Sequence, residues 1–138
     1  MLGEGDRLPS VTLLDDRGES VTTTDLLGGP LVLYFYPKDD TPGCTSEASQ
    51  FRDIHDRFEA KKARIVGVSR DSVESHQRFK KKYSIPFALL ADTRSELYKA
   101  LGVNARSTFL IAEDGTIRKV WPKVNVNDHA EDVLASLP

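Results

Sequence analysis

One cysteine, one methionine and one tryptophan are all that the 138 residues contain of these types. A single cysteine excludes an internal disulfide and a cysteine-based structural zinc site, and it suits a reducing compartment. No apolar run approaches the length that spans a bilayer. The start, Met1-Leu2-Gly3-Glu4-Gly5-Asp6-Arg7, has no apolar core of the kind a secretory signal carries. A cytoplasmic protein with no membrane partner is the expectation. Charge of one sign is not in excess either: 19 basic against 21 acidic side chains leave a net charge of −2. Nothing in that balance marks a nucleic-acid partner. No linker, repeat or low-complexity segment interrupts the chain, whose length suits one compact domain over residues 1–138 and is short for two.

What is present centres on the lone thiol. Leu31-Val32-Leu33-Tyr34-Phe35-Tyr36 reads as a buried strand. Beyond it, Ala48, Phe51, Ile54 and Phe58 fall at helical spacing with polar residues between them. Thr41 is a suitable N-cap and Pro42 the favoured first helical residue, which puts Cys44 in the first turn. Unpaired backbone N–H groups and the positive end of the helix dipole favour an anion there, and a thiolate is one. A free cysteine is otherwise a small buried hydrophobe, so the strand–turn–helix placement is what points to a reactive group.

The remaining segments set the fold expectation. Val11–Leu14 and Ser20–Thr22 flank Asp15-Asp16-Arg17-Gly18, a hairpin signal near the N-terminus. Arg64–Ser69 is a second apolar strand. Asp71-Ser72-Val73-Glu74 has the form of a capping box opening a helix with Val73, His76, Phe79 and Tyr83 on one face, stopped by Ile85-Pro86. Phe87–Leu90 is a short strand, and Thr93-Arg94-Ser95-Glu96 a second capping box, opening a helix that ends at Gly102. Thr108–Ala112 and Thr116–Trp121 face each other across Glu113-Asp114-Gly115, and Asp128 caps a final helix. Parallel strands joined by helices, followed by an antiparallel pair, predict an α/β fold: a mixed sheet flanked by helices on both faces. The order matches a thioredoxin-like layout with an N-terminal β-hairpin extension and an insert over Phe87–Gly102.

Tyr36-Pro37-Lys38-Asp39-Asp40-Thr41-Pro42-Gly43-Cys44-Thr45 resembles the active-site signature of the peroxiredoxins, in the wording of the peroxiredoxin Q or bacterioferritin comigratory subgroup. The likeness continues through Glu47-Ala48, Gln50–Asp53, Gly67-Val68-Ser69, Arg106–Ile111 and Asp114–Ile117. This resemblance implies a thiol peroxidase that reduces hydrogen peroxide and organic hydroperoxides with no cofactor and no metal. Cys44 is then the peroxidatic cysteine, oxidised to a sulfenic acid. Thr41 brings a hydroxyl to the sulfur and the peroxide, Pro37 and Pro42 stiffen the turn and shield the thiolate, and the backbone N–H groups of Gly43 and Cys44 bind the peroxide oxygens. Arg106 matches the family's active-site arginine, and Glu47 orients it; on its own, Arg106 reads as a surface residue.

The chain departs from many relatives in having no resolving cysteine. Ser49 stands at the position five residues after Cys44, and Lys80 near the alternative one. Either the enzyme naturally uses one cysteine or Ser49 replaces a cysteine, and both remain open. An external thiol must then act as reductant: thioredoxin, glutaredoxin or a low-molecular-weight thiol. Relatives of this kind imply a monomer or weak homodimer. His55, His76 and His129 lack metal-ligand spacing and read as surface or helix-face residues, Tyr34 and Trp121 as core, and the lysine runs as solvated faces. The rival reading is a thioredoxin-like binding or chaperone module whose cysteine is incidental.

Overall fold

The computed structural model describes residues 1–138. In chain order, β1 (Thr12–Asp15) and β2 (Ser20–Thr22) form a hairpin, followed by a 3-10 turn at Thr23–Leu26 and β3 (Leu31–Phe35). Helices α1 (Pro42–Asp53) and α2 (His55–Ala60) lead to β4 (Arg64–Ser69), α3 (Val73–Tyr83) and β5 (Ala88–Ala91). Then come α4 (Glu96–Leu101), β6 (Ser107–Ile111), β7 (Ile117–Trp121) and α5 (His129–Ala135). All seven strands join one sheet in the order β2-β1-β5-β4-β3-β6-β7. Neighbours among β3, β4 and β5 are parallel and every other pair is antiparallel, the mixed sheet expected. No helix is long and apolar enough to cross a membrane.

The apolar run of β3 is continuous because both of its faces are covered. Val32, Tyr34 and Tyr36 point into one core, with Ala48 and Phe51 of α1, Phe58 of α2, Phe79 of α3, and Val133 and Leu134 of α5. Leu31, Leu33 and Phe35 point into the other, with Leu97, Tyr98 and Leu101 of α4. Helices thus lie on both faces. Tyr34 crosses β4 at Gly67, its register partner; a Cβ there would sit 2.9 Å from the Tyr34 hydroxyl and 2.8 Å from Leu89 Cδ2. Only glycine admits that ring.

Several local expectations shift. The helix carrying Cys44 is not continuous to Phe58: Ile54, with φ −118° and ψ 18°, breaks it into α1 and α2. Neither glycine nor proline marks the break, and beyond it Phe58 is fully buried. The caps also move by one residue or more. Ser72, not Asp71, caps α3 by accepting from Ser75 N at 3.1 Å. Thr93 does not cap α4; Asp92 does, its buried carboxylate accepting from the N–H groups of Glu96, Leu97 and Tyr98 at 2.8, 3.0 and 2.9 Å. Asp128 precedes α5 in a left-handed conformation, φ 57°, without a side-chain cap.

Candidate active site

α1 begins just past the C-terminal end of β3, and the register of the sheet brings a distant residue to the same place. Phe35 pairs with Ser107 across the antiparallel β3–β6 ladder, so Arg106 lies beside the turn that follows β3. Its backbone carbonyl accepts from Val124 N at 2.8 Å, which ties the stretch after β7 to the same spot. From there the guanidinium reaches over the start of α1. Nη2 donates to Cys44 Sγ at 3.3 Å and Nη1 to Glu47 Oε1 at 2.8 Å. Gly43 permits the close pass: a Cβ there would stand 3.1 Å from Arg106 Nη2.

Cys44 is a free cysteine, 1% exposed, in the first turn of α1. Pro42 opens the helix and Thr41 holds the N-cap position with extended backbone, its carbonyl accepting from Thr45 N at 2.8 Å. The N–H groups of Gly43 and Cys44 have no partner within the protein and are two of the orphan donors of a helix start. The Thr41 hydroxyl does not cap the helix and makes no hydrogen bond to Cys44; it donates to Lys38 O at 3.0 Å. Pro37 and Pro42 are both exposed. On its inner side the sulfur belongs to an apolar cluster with Tyr34, Tyr36, Ala48 and Phe51. Ser49 lies half-buried on α1, and Lys80 holds Asp16 at 3.0 Å.

Two opposed effects act on Glu47. Burial pushes its carboxyl up, and the Arg106 hydrogen bond and charge pull it down; burial dominates and leaves it at about 7. For Arg106, burial acts against the charge, but its bonds to Glu47 and Cys44 hold the guanidinium above its ordinary value. Glu47 Oε2 has no partner, and neither does the buried hydroxyl of Tyr34.

The turn leading to Cys44 is gripped by α3. Asp39 is buried and accepts from Tyr36 Oη at 2.6 Å, Ser75 Oγ at 2.8 Å and His76 Nδ1 at 2.7 Å. His76 Nε2 donates to Leu90 O at 3.0 Å. His76 thus bridges Asp39 and the Leu90 carbonyl and ties α3 to the turn before Cys44. Asp39 N donates to Asp71 Oδ2 at 2.7 Å. Asp39, Asp71 and His76 are close enough to suggest a metal site. The 2.7 Å gap between His76 and Asp39 is, however, shorter than the roughly 3.3 Å that two ligands of one tetrahedral ion keep. The cluster is a hydrogen-bonded latch. The next residue, Asp40, has φ 59° and accepts from Lys82 Nζ at 2.7 Å and from Tyr83 Oη.

His76 lies with Phe79 on the buried face of α3, where the helix pattern places it, whereas His129, 2% exposed, is no surface residue. Asp39, His76, Thr108 and His129 all surround the site without having been singled out for it. Asp39 at least lies inside the motif; His129 resembles nothing more than the first residue of a terminal helix.

Residues 4–120 match the AhpC/TSA family. Peroxiredoxin Bcp of Bacillus subtilis is 44% identical to the chain, covering 96% of it and 93% of its own length. A cysteine-to-serine variant of PrxQ from Xylella fastidiosa superposes with a TM-score of 0.95 at 38% identity, covering 99% of this chain and 96% of that one. The Xanthomonas campestris bacterioferritin comigratory protein, known from trapped intermediate and ligand complexes bearing on alkyl peroxide reduction, gives 0.91 at 37% identity over 96% and 97% of the two chains. The solved structures share the thioredoxin-like α/β layout found here, and the chain belongs to the AhpC/TSA family, in its branch of Bcp and Q peroxiredoxins.

Proposed function

We propose that Cys44 carries the thiol-peroxidase activity of this peroxiredoxin as its peroxidatic cysteine. The ionised sulfur attacks the terminal oxygen of a hydroperoxide. An S–O bond forms, the O–O bond breaks, and the departing oxygen takes a proton to leave as water or an alcohol. Sulfur is oxidised by two electrons to the sulfenic acid and the peroxide is reduced by two. Arg106 is the electrostatic partner: a fixed guanidinium favours the thiolate before attack and the charge that grows on the leaving oxygen during it. The unpaired N–H groups of Gly43 and Cys44 supply further donors to the peroxide oxygens, an oxyanion-hole role. The Thr41 hydroxyl, while donating to Lys38 O, keeps lone pairs with which to accept from the peroxide. Glu47 fixes the fork of Arg106.

With Ser49 where a resolving thiol would stand, the sulfenic acid is reduced by an external thiol of the thioredoxin, glutaredoxin or low-molecular-weight class. One thiol attacks the oxidised sulfur and releases water, and a second thiol breaks the mixed disulfide and restores Cys44.

The observation that carries this reading is the 3.3 Å contact between Arg106 Nη2 and Cys44 Sγ at a helix start with free N–H donors. Rapid-mixing measurements with hydrogen peroxide test it. Cys44 is expected to lose its thiol far faster than free cysteine, with mass spectrometry recording the gain of one oxygen. Arg106→Ala is expected to slow that step about 10²-fold. A wild-type protein no faster than free cysteine would sink the assignment.

A further inference from the structure

Behind Arg106 lies a layer of polar side chains that the peroxide chemistry above does not use. Arg106 engages only one oxygen of Glu47. The other, Oε2, is buried and accepts from nothing, an uncommon and unfavourable state for a carboxylate oxygen. Facing it at 4.0 Å is Nε2 of His129.

That imidazole is held tightly. Trp121 meets it edge-on at 5.6 Å and 86°, and Phe51 at 5.9 Å and 85°. Nε2 already lies 2.8 Å from Thr108 Oγ1. Thr108 is two residues past Arg106 on β6, paired with Tyr34 of β3 on one side and Trp121 of β7 on the other. A threonine hydroxyl can donate or accept, whereas an ionised carboxylate only accepts. One nitrogen therefore stands between a versatile partner it holds and an unsatisfied acceptor about 1 Å beyond hydrogen-bond reach.

Building on the peroxidase reading, we propose that His129 is a positioning residue for the reaction. Its Nε2–H, which lies against Thr108 Oγ1, turns to Glu47 Oε2 by a side-chain shift of about 1 Å. By completing the Glu47 carboxylate it keeps that group charged, and a charged Glu47 keeps Arg106 drawn against Cys44.

The electrostatics of the pocket agree. Burial, aided by the charge of Arg106 and opposed by Asp132 of α5, takes His129 down to about 4, so the ring is a neutral donor at physiological pH. Glu47, at about 7, is balanced between its two forms there, where one hydrogen bond decides the population. The groups around Glu47 are Cys44 on its own helix, Arg106 from the loop before β6, His129 from α5 and Tyr34 from β3. Burial and then the charge of Glu47 raise the Tyr34 phenol, which stays neutral.

The rate of Cys44 oxidation by peroxide, measured against pH, tests the inference. Wild type is expected to lose rate on acidification through about pH 7 as Glu47 protonates. His129→Leu moves that limb up by about one unit, a loss of about fivefold at pH 7 that vanishes by pH 9. His129→Asn does the same, because its amide stands where Nδ1 stood and cannot reach Glu47. His129→Gln places an amide donor at the Nε2 position and restores the limb. Thr108→Val, nearly isosteric, commits Nε2–H to Glu47 and moves the limb to lower pH. A purely structural histidine would lower the rate equally at every pH or leave it unchanged, and either result overturns the inference. Failure of wild-type Cys44 to outpace free cysteine is a different result, and it removes the peroxidase reading instead.

Discussion

Glu47 and His129 are two buried ionisable groups whose environments push them in opposite directions along the pH axis. In the folded protein Glu47 titrates at about 7 instead of its ordinary 4.5, so between those values the folded state holds more proton than the unfolded one. Stability from this group is complete below pH 4.5 and is lost as the pH rises to 7. His129 titrates at about 4 instead of 6.5, and there the unfolded state holds more proton. Its contribution is complete above pH 6.5 and is lost as the pH falls to 4. The two slopes oppose each other across an overlapping window, so wild-type stability should change little from these groups between pH 4.5 and 6.5. Glu47→Gln should uncover the rising limb of the histidine, and His129→Gln the falling limb of the glutamate. Urea midpoints at half-unit pH steps will show this; parallel profiles for all three proteins would contradict it.

At the scale of elements, the segment before Cys44 owes its shape to α3. Asp39 and Asp40 are bound by side chains of that helix, one from the buried His76 and Ser75, the next from Lys82 and Tyr83. Removing one partner of this buried hydrogen-bonded cluster leaves the polar atoms of the others unsatisfied. His76→Ala is expected to cost about 1–3 kcal/mol in a denaturant titration. Asp39→Asn combined with it should cost much less than the two single losses added together. A single-variant loss below ~1 kcal/mol would show that the pair does not hold the turn. Cap-type residues were easy to recognise in the sequence, but which of two neighbours does the capping was not. Asp71 and Ser72 stand side by side, and the side chain of Asp71 is drawn away to Asp39 N and Ser69 Oγ, leaving the cap to Ser72. Asp92 ends up bonding three amides from a position that reads as strand end. Local pattern names the candidates; tertiary partners choose among them.

The same division holds for the whole molecule. The strand, turn and helix around Cys44 were legible because their signals lie within a few residues of each other: an apolar run, a threonine at the cap, a proline at the first helical position. Arg106 carries no local mark, and only the resemblance singled it out; what delivers it is the β3–β6 register, a property of the sheet. The partners of His76 and His129 were not legible because they lie 37 and 21 residues away. The assembled site also poses a problem that no single element does: Cys44 is 1% exposed, yet on the proposed mechanism an external thiol reaches it once oxidised. That mechanism requires part of the fold to open, and α1 is the element held least firmly. Its first eight residues include Gly43, Thr45, Ser46 and Ser49, all poorer helix formers than alanine. Phe51 anchors its C-terminal half, but the first turns bury only Cys44, Ala48 and Glu47, the last with one unsatisfied oxygen, so less apolar side chain fastens them to the sheet. By contrast, β3 is covered on both faces and bonded on both edges. Amide hydrogen exchange over residues 44–50 is therefore expected to run at least 10²-fold faster than in β3 and β4, an opening cheaper than global unfolding by about 3 kcal/mol. Converting Cys44 to the sulfenic acid disturbs the Arg106 contact and should widen that difference. Equal protection of α1 and the central strands, before and after oxidation, would mean that the reductant meets the sulfur in its buried position, and the need for opening would fall away.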